Sequence, residues 1–243
     1  MFKVVIPARY ASTRLPGKPL LDIAGKPMVI RVADQASLSQ ADTVVIATDF
    51  EKILTVAEQH GYSAVMTKID HASGTDRIAE VVEKMGWHDD AIVVNVQGDE
   101  PLIDPKLINE VALTLAHNHA AVMATACHPI DDEATFLNPN VVKVVMDTHG
   151  NALYFSRAPI PYPRDEAYKQ AIQAYRHIGI YAYRVGFLKQ YAELSITELE
   201  KIESLEQLRV LHHGFKIAVS ITNHAPASGV DTEQDLNHVR SFF

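Results

Sequence analysis

Between Arg9 and Lys18 the chain reads Arg-Tyr-Ala-Ser-Thr-Arg-Leu-Pro-Gly-Lys, which places three cations within ten residues. The whole chain carries 22 lysines and arginines against 30 aspartates and glutamates, for a formal net charge of −8. A local cluster of cations in an acidic chain suits a polyphosphate. Guanidinium groups such as those of Arg9 and Arg14 make paired hydrogen bonds to phosphate oxygens, and Lys18 adds a compact charge. Ser12, Thr13 and the backbone amides near Gly17 add neutral donors. The glycine spacing matches neither a G-x-G-x-x-G dinucleotide fingerprint nor a Walker loop, so a nicotinamide dehydrogenase loses support. Taken alone, the stretch reads equally as a solvated charged loop.

Two acidic segments suggest what would sit beside such a ligand. Asn95-Val96-Gln97-Gly98-Asp99-Glu100-Pro101 closes an apolar run. Asp99 is assigned there as a ligand for a magnesium ion, which prefers hard oxygen donors and takes few carboxylates alongside substrate phosphates. Gly98 would let a ligand approach, and Glu100 stays behind the metal or on the surface. The competing reading is a turn acid before a proline. The segment Ala227-Ser228-Gly229-Val230-Asp231-Thr232-Glu233-Gln234-Asp235 offers Asp231 as a second metal carboxylate. Thr232 and Asp235 look like a helix cap, and spacing leaves open whether Asp231 does more than precede that helix. Asp70-His71-Ala72-Ser73-Gly74-Thr75-Asp76-Arg77 feeds a helix start. It could present amides and Arg77 to a base or ribose, or be an ordinary capped helix.

The elements that must carry these residues alternate in type. Short Val- and Ile-rich runs at Lys3–Ile6, Thr43–Ala47, Ala91–Val96, Ala121–Ala126 and Val141–Met146 read as buried strands. Helical periods lie between them near 27–38, 50–60, 75–85 and 105–118. Pro27 and Pro105 suit a first helical turn, Asp104 suits a cap, and Thr75 is the expected cap of the third helix. This order predicts an α/β fold, a doubly wound and mostly parallel sheet with helices on both faces. The basic loop then follows the first strand, at the carboxyl edge where such sheets bind ligands. After about residue 147 the pattern turns antiparallel. Val141–Met146 and Ala152–Ser156 pair across a turn, and Pro159, Pro161 and Pro163 exclude a central strand. Gly179–Arg184 and Lys216–Ile221 read as strands, Ser204–His213 as a helix, and Thr232 begins a terminal helix. We expect a single domain over 1–243 with an antiparallel lobe around 147–215.

Composition bounds the rest. A chain that is 47% hydrophobic and 21% charged can bury a core, and its acidity disfavours nucleic acid as a partner. The single cysteine, Cys127, lies in an apolar run and reads as a buried strand residue, with no internal disulfide available. No apolar stretch is long enough to span a bilayer, so a cytoplasmic location without stable membrane insertion is expected.

Together the segments IPARYASTRLPGKPL (6–20), DHASGTDR (70–77), VNVQGDEP (94–101), NPNVVKVV (138–145), YFSRAPIP (154–161), RHIGIYAYR (176–184), ESLEQLRVL (203–211) and GVDT (229–232) resemble the 3-deoxy-manno-octulosonate cytidylyltransferase, or CMP-Kdo synthetase, family. They run in family order through nearly the whole chain. The first and fourth are shared in looser form with other sugar nucleotidyltransferases. RHIGIYAYR and ESLEQLRVL make the combination specific. The resemblance implies a usually dimeric enzyme that uses CTP and magnesium to make CMP-Kdo and pyrophosphate for lipopolysaccharide synthesis. It implies Arg9, Ser12, Arg14 and Lys18 around the nucleotide and triphosphate, Ser73, Arg77 and Gln97 near the nucleotide or sugar, and Asp99 and Asp231 on magnesium. It places Arg157, His177, Tyr181, Glu203 and Gln207 against the sugar acid. Glu203 and Gln207 stand four apart and would share a helix face. His177 has the bland alternative of an ordinary strand histidine. The nearest alternatives are a cytidylyltransferase for sialic acid or for an amino variant of Kdo. A non-catalytic nucleotide-binding module on the same fold is the alternative of a different class.

Overall fold

Along the first strand Val4 and Ile6 face one way and Val5 the other, as the two-residue period of a strand requires. In the computed structural model, which describes residues 1–12, 14–71, 73–165, 173–223 and 229–243, both faces of that strand are buried. The order is β1 (Phe2–Ala8), a 3₁₀ turn (Lys18–Leu20), β2 (Asp22–Ile23), β3 (Lys26–Pro27), α1 (Met28–Ser37), β4 (Ala41–Thr48), α2 (Glu51–Gln59), β5 (Ser63–Met66), α3 (Gly74–Met85), β6 (Ile92–Asn95) and α4 (Pro105–His117). There follow β7 (Met123–Ile130), α5 (Glu133–Leu137), β8 (Lys143–Met146), β9 (Ala152–Ser156), β10 (Ala174–Arg184), α6 (Val185–Tyr191), α7 (Glu198–Glu203), α8 (Gln207–His212), β11 (Ile217–Ile221) and α9 (Glu233–Arg240).

The central sheet runs β11-β7-β10-β6-β1-β4-β5, with β8 and β9 attached through β10. β6, β1, β4 and β5 are parallel, as are β7 and β11. Only β10 runs against its neighbours β6 and β7 within that row. Val4, Ile6 and Val94 pack under α1, α2 and α4 through Val29, Ile30, Ile53, Ile108 and Val111. Val5, Val45 and Val93 pack on the other face under α3, α6 and α8 through Ile78, Val81, Val82, Leu188 and Leu208. The expected α/β architecture, mostly parallel with an antiparallel part, is therefore present. A smaller cluster joins Leu15 and Ile23 to Val230, Leu236 and Val239, which fixes the loop after β1 against α9. Cys127 is buried in β7, as expected.

Three local expectations need correction. Helix α3 is capped by Ser73, whose side chain accepts from the Asp76 amide while Asp76 returns a bond to the Ser73 amide; Thr75 lies inside the helix. The helix expected over Ser204–His213 is present but starts only at Gln207, because Ser204 takes a left-handed conformation (φ 52°) that ends α7 and separates it from α8. β10 starts earlier than expected, at Ala174, and β5, α5, α6 and α7 had no distinct signal. Each of those is short, and periodicity needs length to register. Among the described residues, no helix is long and apolar enough to cross a membrane.

Candidate active site

The basic loop is shaped before it is charged. Gly17 is left-handed (φ 67°), a conformation glycine takes without strain, and a Cβ there would meet the Tyr10 ring at 3.4 Å. That ring stacks on Phe50 at 3.9 Å between centroids, and the Tyr10 amide donates to Asp49 Oδ1 at 3.2 Å. The Ser12 hydroxyl accepts from the Leu15 amide at 3.3 Å, closing a turn that points Arg14 outward. Thr13 lies outside the described residues. Arg9, Ser12, Arg14 and Lys18 line one cleft of about 370 Å³ with Gln97, Asp99 and Asp231. Gly74, the first residue of α3, is on its wall, so the helix brings its positive end to the cavity.

Asp99 reaches this cleft because β6 pairs with β1, Val5 opposite Asn95. A Cβ on Gly98 would lie 2.6 Å from the Pro7 carbonyl oxygen, so this position needs glycine for the passage of β1. Gly98 also lines the cleft, so the close passage of β1 is a second reason for glycine beside the expected one of ligand access. The Asp99 carbonyl accepts from the Val230 amide at 2.9 Å, which draws the 229–231 segment alongside. Ser228 and Ala227 lie outside the described residues. Thr232 and Asp235 form the capping box of α9, and Asp235 also accepts from the Asp231 amide at 3.0 Å. The Asp231 carboxylate takes no part in the cap. Its Oδ1 instead meets Arg14 Nη2 at 2.9 Å and Lys18 Nζ at 3.1 Å, and Lys18 Nζ meets Asp99 Oδ2 at 2.5 Å. The lysine side chain is sheltered at 13% exposure while the two acids, at 36% and 47%, open to the cleft. Glu100, only partly exposed as a residue, has its carboxyl pushed up to about 8, first by burial and then by the Asp99 charge.

Two hard carboxylates around one cation, at the mouth of a basic cleft, fit the donor set of a magnesium ion that takes its remaining oxygens from phosphate. Among the described residues no cluster of three or more acids, histidines or cysteines offers an alternative metal cage.

Two expected nucleotide residues sit elsewhere. The Ser73 hydroxyl is engaged by Asp76 in the cap. Arg77 is fully buried, with Nη2 2.9 Å from Asp49 Oδ2 and Nη1 on Thr67, so it does not line the cleft as expected. It orients Asp49, which in turn holds the Tyr10 amide of the loop.

The other expected residues gather around β10. His177 lies edge-on to Phe155 at 5.0 Å and beside Tyr181 at 5.3 Å. Its residue surface is partly accessible, but burial of the ring pushes its pKa down to about 3, so it is neutral near pH 7. Arg157 is braced from several sides. Its amide donates to Glu203 Oε2 at 2.9 Å, its Nε to the Glu203 carbonyl at 2.6 Å, and its Nη1 to the Pro139 carbonyl at 3.1 Å. The buried Lys143 donates to the Arg157 carbonyl at 2.6 Å. Ser156 occupies Glu203 Oε1 at 2.6 Å. Both Glu203 carboxylate oxygens are thus held by the Ser156–Arg157 segment, and the residue is a brace for Arg157; the expected pairing with Gln207 on one helix face fails at Ser204.

Sequence reasoning missed a buried polar cluster beside these residues. Thr75 Oγ1 lies 3.4 Å from both Tyr183 OH and Glu206 Oε2. Asn95 Oδ1, Glu206 Oε1 and Gln207 Nε2 are buried without a partner among the described residues. Orphaned polar atoms in a core are rare and ask for a ligand or water. Of its members, Gln207 is expected against the sugar acid and Thr75 only as a cap; for the rest the available signal was Asn95, a polar residue closing an otherwise apolar strand.

A cytidylyltransferase family model matches residues 3–217. The structure is similar to that of a CMP:2-keto-3-deoxy-manno-octonic acid synthetase complexed with CTP. The identity is 43%, with 100% of this chain and 98% of that chain covered and a TM-score of 0.92. It also shares its fold with a cytidylyltransferase from Leptospira borgpetersenii serovar Hardjo-bovis (strain JB197), at 17% identity, with 100% of this chain and 87% of that chain covered and a TM-score of 0.63. With a basic cleft, two converging acids and similarity along its full length, the chain belongs to the cytidylyltransferase family and, within it, to the CMP-Kdo synthetases.

Proposed function

We propose that this enzyme transfers CMP from CTP to the anomeric hydroxyl of Kdo, releasing pyrophosphate. The observation that carries the reading is the meeting of Asp99 and Asp231 on Lys18 inside a cleft lined by Arg9 and Arg14. The similarity to a CMP-Kdo synthetase complexed with CTP supports the choice of nucleotide and acceptor.

The chemistry is positioning and charge neutralisation, as in phosphoryl transfer generally. Arg9, Arg14 and Lys18 neutralise the triphosphate and the leaving pyrophosphate, helped by the start of α3. Ser12 and Gln97 offer neutral hydrogen bonds at the same wall. Asp99 and Asp231 would hold magnesium, which supplies Lewis acidity to the α-phosphoryl group and acidifies the attacking hydroxyl. Arg157, steadied by Glu203 and Lys143, is the cation for the sugar carboxylate. His177, Tyr181 and Gln207, with Glu206 and Asn95 beside them, supply hydrogen bonds to sugar hydroxyls. Gly74 on the cleft wall and Thr75 against Glu206 are consecutive, so the first turn of α3 lies between the nucleotide cleft and the buried polar cluster. In this reading Ser73 and Arg77 act from behind, by fixing the start of α3 and Asp49.

The same reading takes the lobe around 147–215 as the site of acceptor binding and dimer contact. It places the homodimer in the cytoplasm, making CMP-Kdo for lipopolysaccharide. Pyrophosphate release measured across CTP, UTP and ATP, each with Kdo, an amino variant of Kdo or sialic acid, tests it. Release is expected with CTP and Kdo. Equal release with sialic acid would refute the acceptor, and CTP binding without release under any acceptor would refute catalysis.

A further inference from the structure

Thr125 lies in the middle of β7, fully buried, opposite an irregularity in β10. The pairing passes from Ile178 opposite Ala126 directly to Tyr181 opposite Thr125, so Gly179 and Ile180 are extra residues. Bulges of this kind re-aim side chains and leave backbone groups without ladder partners. Here the Ile178 and Ile180 carbonyl oxygens both turn toward Thr125 Oγ1, at 3.0 and 2.7 Å. The third neighbour of that oxygen is His177 Nε2, at 3.0 Å.

A hydroxyl has one hydrogen and two lone pairs, and a carbonyl oxygen can only accept. If the Thr125 hydrogen pointed at His177, two carbonyl oxygens would face the hydroxyl lone pairs with no proton between them. With the hydrogen on a carbonyl, the hydroxyl is left as an acceptor, and Nε2 must be the donor. The imidazole is uncharged when buried in this way, so only one of its nitrogens carries a proton. Nδ1 then has a lone pair and, among the described residues, no partner.

We propose that Thr125 is a positioning residue for the acceptor pocket: it locks His177 in the Nε2–H tautomer and so presents Nδ1 as a hydrogen-bond acceptor for a hydroxyl of the sugar acid. This deepens, and rests on, the placement of His177 against that acid. An acceptor nitrogen takes a hydroxyl and repels a carboxylate, so it directs the carboxylate end of the substrate to Arg157.

The test uses full-length protein labelled with ¹⁵N-histidine. Long-range proton–nitrogen correlations report which ring nitrogen is protonated, and His177→Gln identifies the signal. The expected result is a protonated Nε2 and a bare Nδ1 in the parent and in Thr125→Ser. Thr125→Val should lose that single tautomer. Its KM for Kdo should rise roughly tenfold, the loss of one good hydrogen bond, with KM for CTP unchanged. A proton on Nδ1 in the parent, a tautomer unaltered in Thr125→Val, or a flat KM for Kdo in that variant would overturn the proposal. A separate arm examines the reading beneath it. If His177→Gln leaves KM for Kdo where it was while the tautomer behaves as described, the placement of His177 in the acceptor pocket is what fails.

Discussion

Lys18 Nζ and Asp99 Oδ2 meet at 2.5 Å although 81 residues separate them in the chain, and the same ammonium reaches Asp231 Oδ1 at 3.1 Å. Two acids that would repel one another are held together by a cation from the loop after β1. The parallel pairing of β1 with β6 and the packing of Leu15 on Val230 make that meeting possible.

Removing either acid should abolish chemistry. Asp99→Asn and Asp231→Asn are expected to lower kcat by about 10²–10³-fold or more at saturating magnesium, the scale set by losing a charge-stabilising group. Pyrophosphate release at saturating CTP and Kdo measures this. Near-parental turnover in either variant would remove it from the metal site.

Lys18→Met should expose the mutual repulsion of Asp99 and Asp231. Both acids are more than a third exposed, so water screens the effect, and a loss of about 1 kcal/mol is expected. That corresponds to a fall in Tm of roughly 2–4 °C for a chain of this size. Added magnesium should recover part of it by binding between the freed carboxylates, while KM for CTP stays high. Thermal melts with and without magnesium decide it; a melt insensitive to the substitution contradicts the structure.

Gly98→Ala is expected to be costly for a reason unrelated to flexibility. The new methyl would sit 2.6 Å from the Pro7 carbonyl oxygen, which is backbone in the middle of the sheet. Overpacking of this kind costs about 1–3 kcal/mol, and the shift would carry Asp99 with it. Urea unfolding should show the lost stability and turnover should fall in parallel. Full stability with full activity would mean that the strand end yields more easily than its contacts indicate.

Acid stability should fall in two separable windows. Burial holds His177 down to about 3 in the folded chain, below its ordinary 6.5. The unfolded state therefore binds the extra proton first, so stability falls as pH drops from about 6.5 toward 3. Glu80 resists its own burial because Lys84, the Lys68 amide and His71 bond to its carboxylate, which brings it down to about 2 from 4.5. Its contribution is present above 4.5 and is lost between about 4.5 and 2. Denaturant unfolding at stepped pH should show that His177→Gln flattens the first window and leaves the second. An unaltered slope between pH 6.5 and 5 in that variant would contradict the burial of the ring.

Glu203→Gln should act on the acceptor alone. It removes one of the two anionic oxygens that hold Ser156 Oγ and the Arg157 amide, while leaving the nucleotide cleft intact. KM for Kdo is expected to rise several-fold, since one charge-assisted bond of about 1.5–3 kcal/mol is weakened, with KM for CTP steady. A rise in both would place Glu203 in a wider structural role.

The order of elements and the sites of chemistry were legible from residue types. The runs that became β1, β4, β6 and β8, and the periods that became α1, α2, α3 and α4, are long or apolar enough to declare themselves. So is the concentration of Arg9, Arg14 and Lys18 in an acidic chain. Contacts between distant segments were not legible, because spacing along a chain carries no information about which oxygen faces which nitrogen. Only the tertiary structure decided that Asp231 is free of the α9 cap and turned to Lys18, that Arg77 lies beneath the cleft, and that Glu203 braces Arg157. It also decided that Gly98 is glycine because β1 passes over it. The left-handed turn at Ser204 separates Glu203 from Gln207, and in a non-glycine residue that conformation is maintained by surrounding packing, which no local pattern announces.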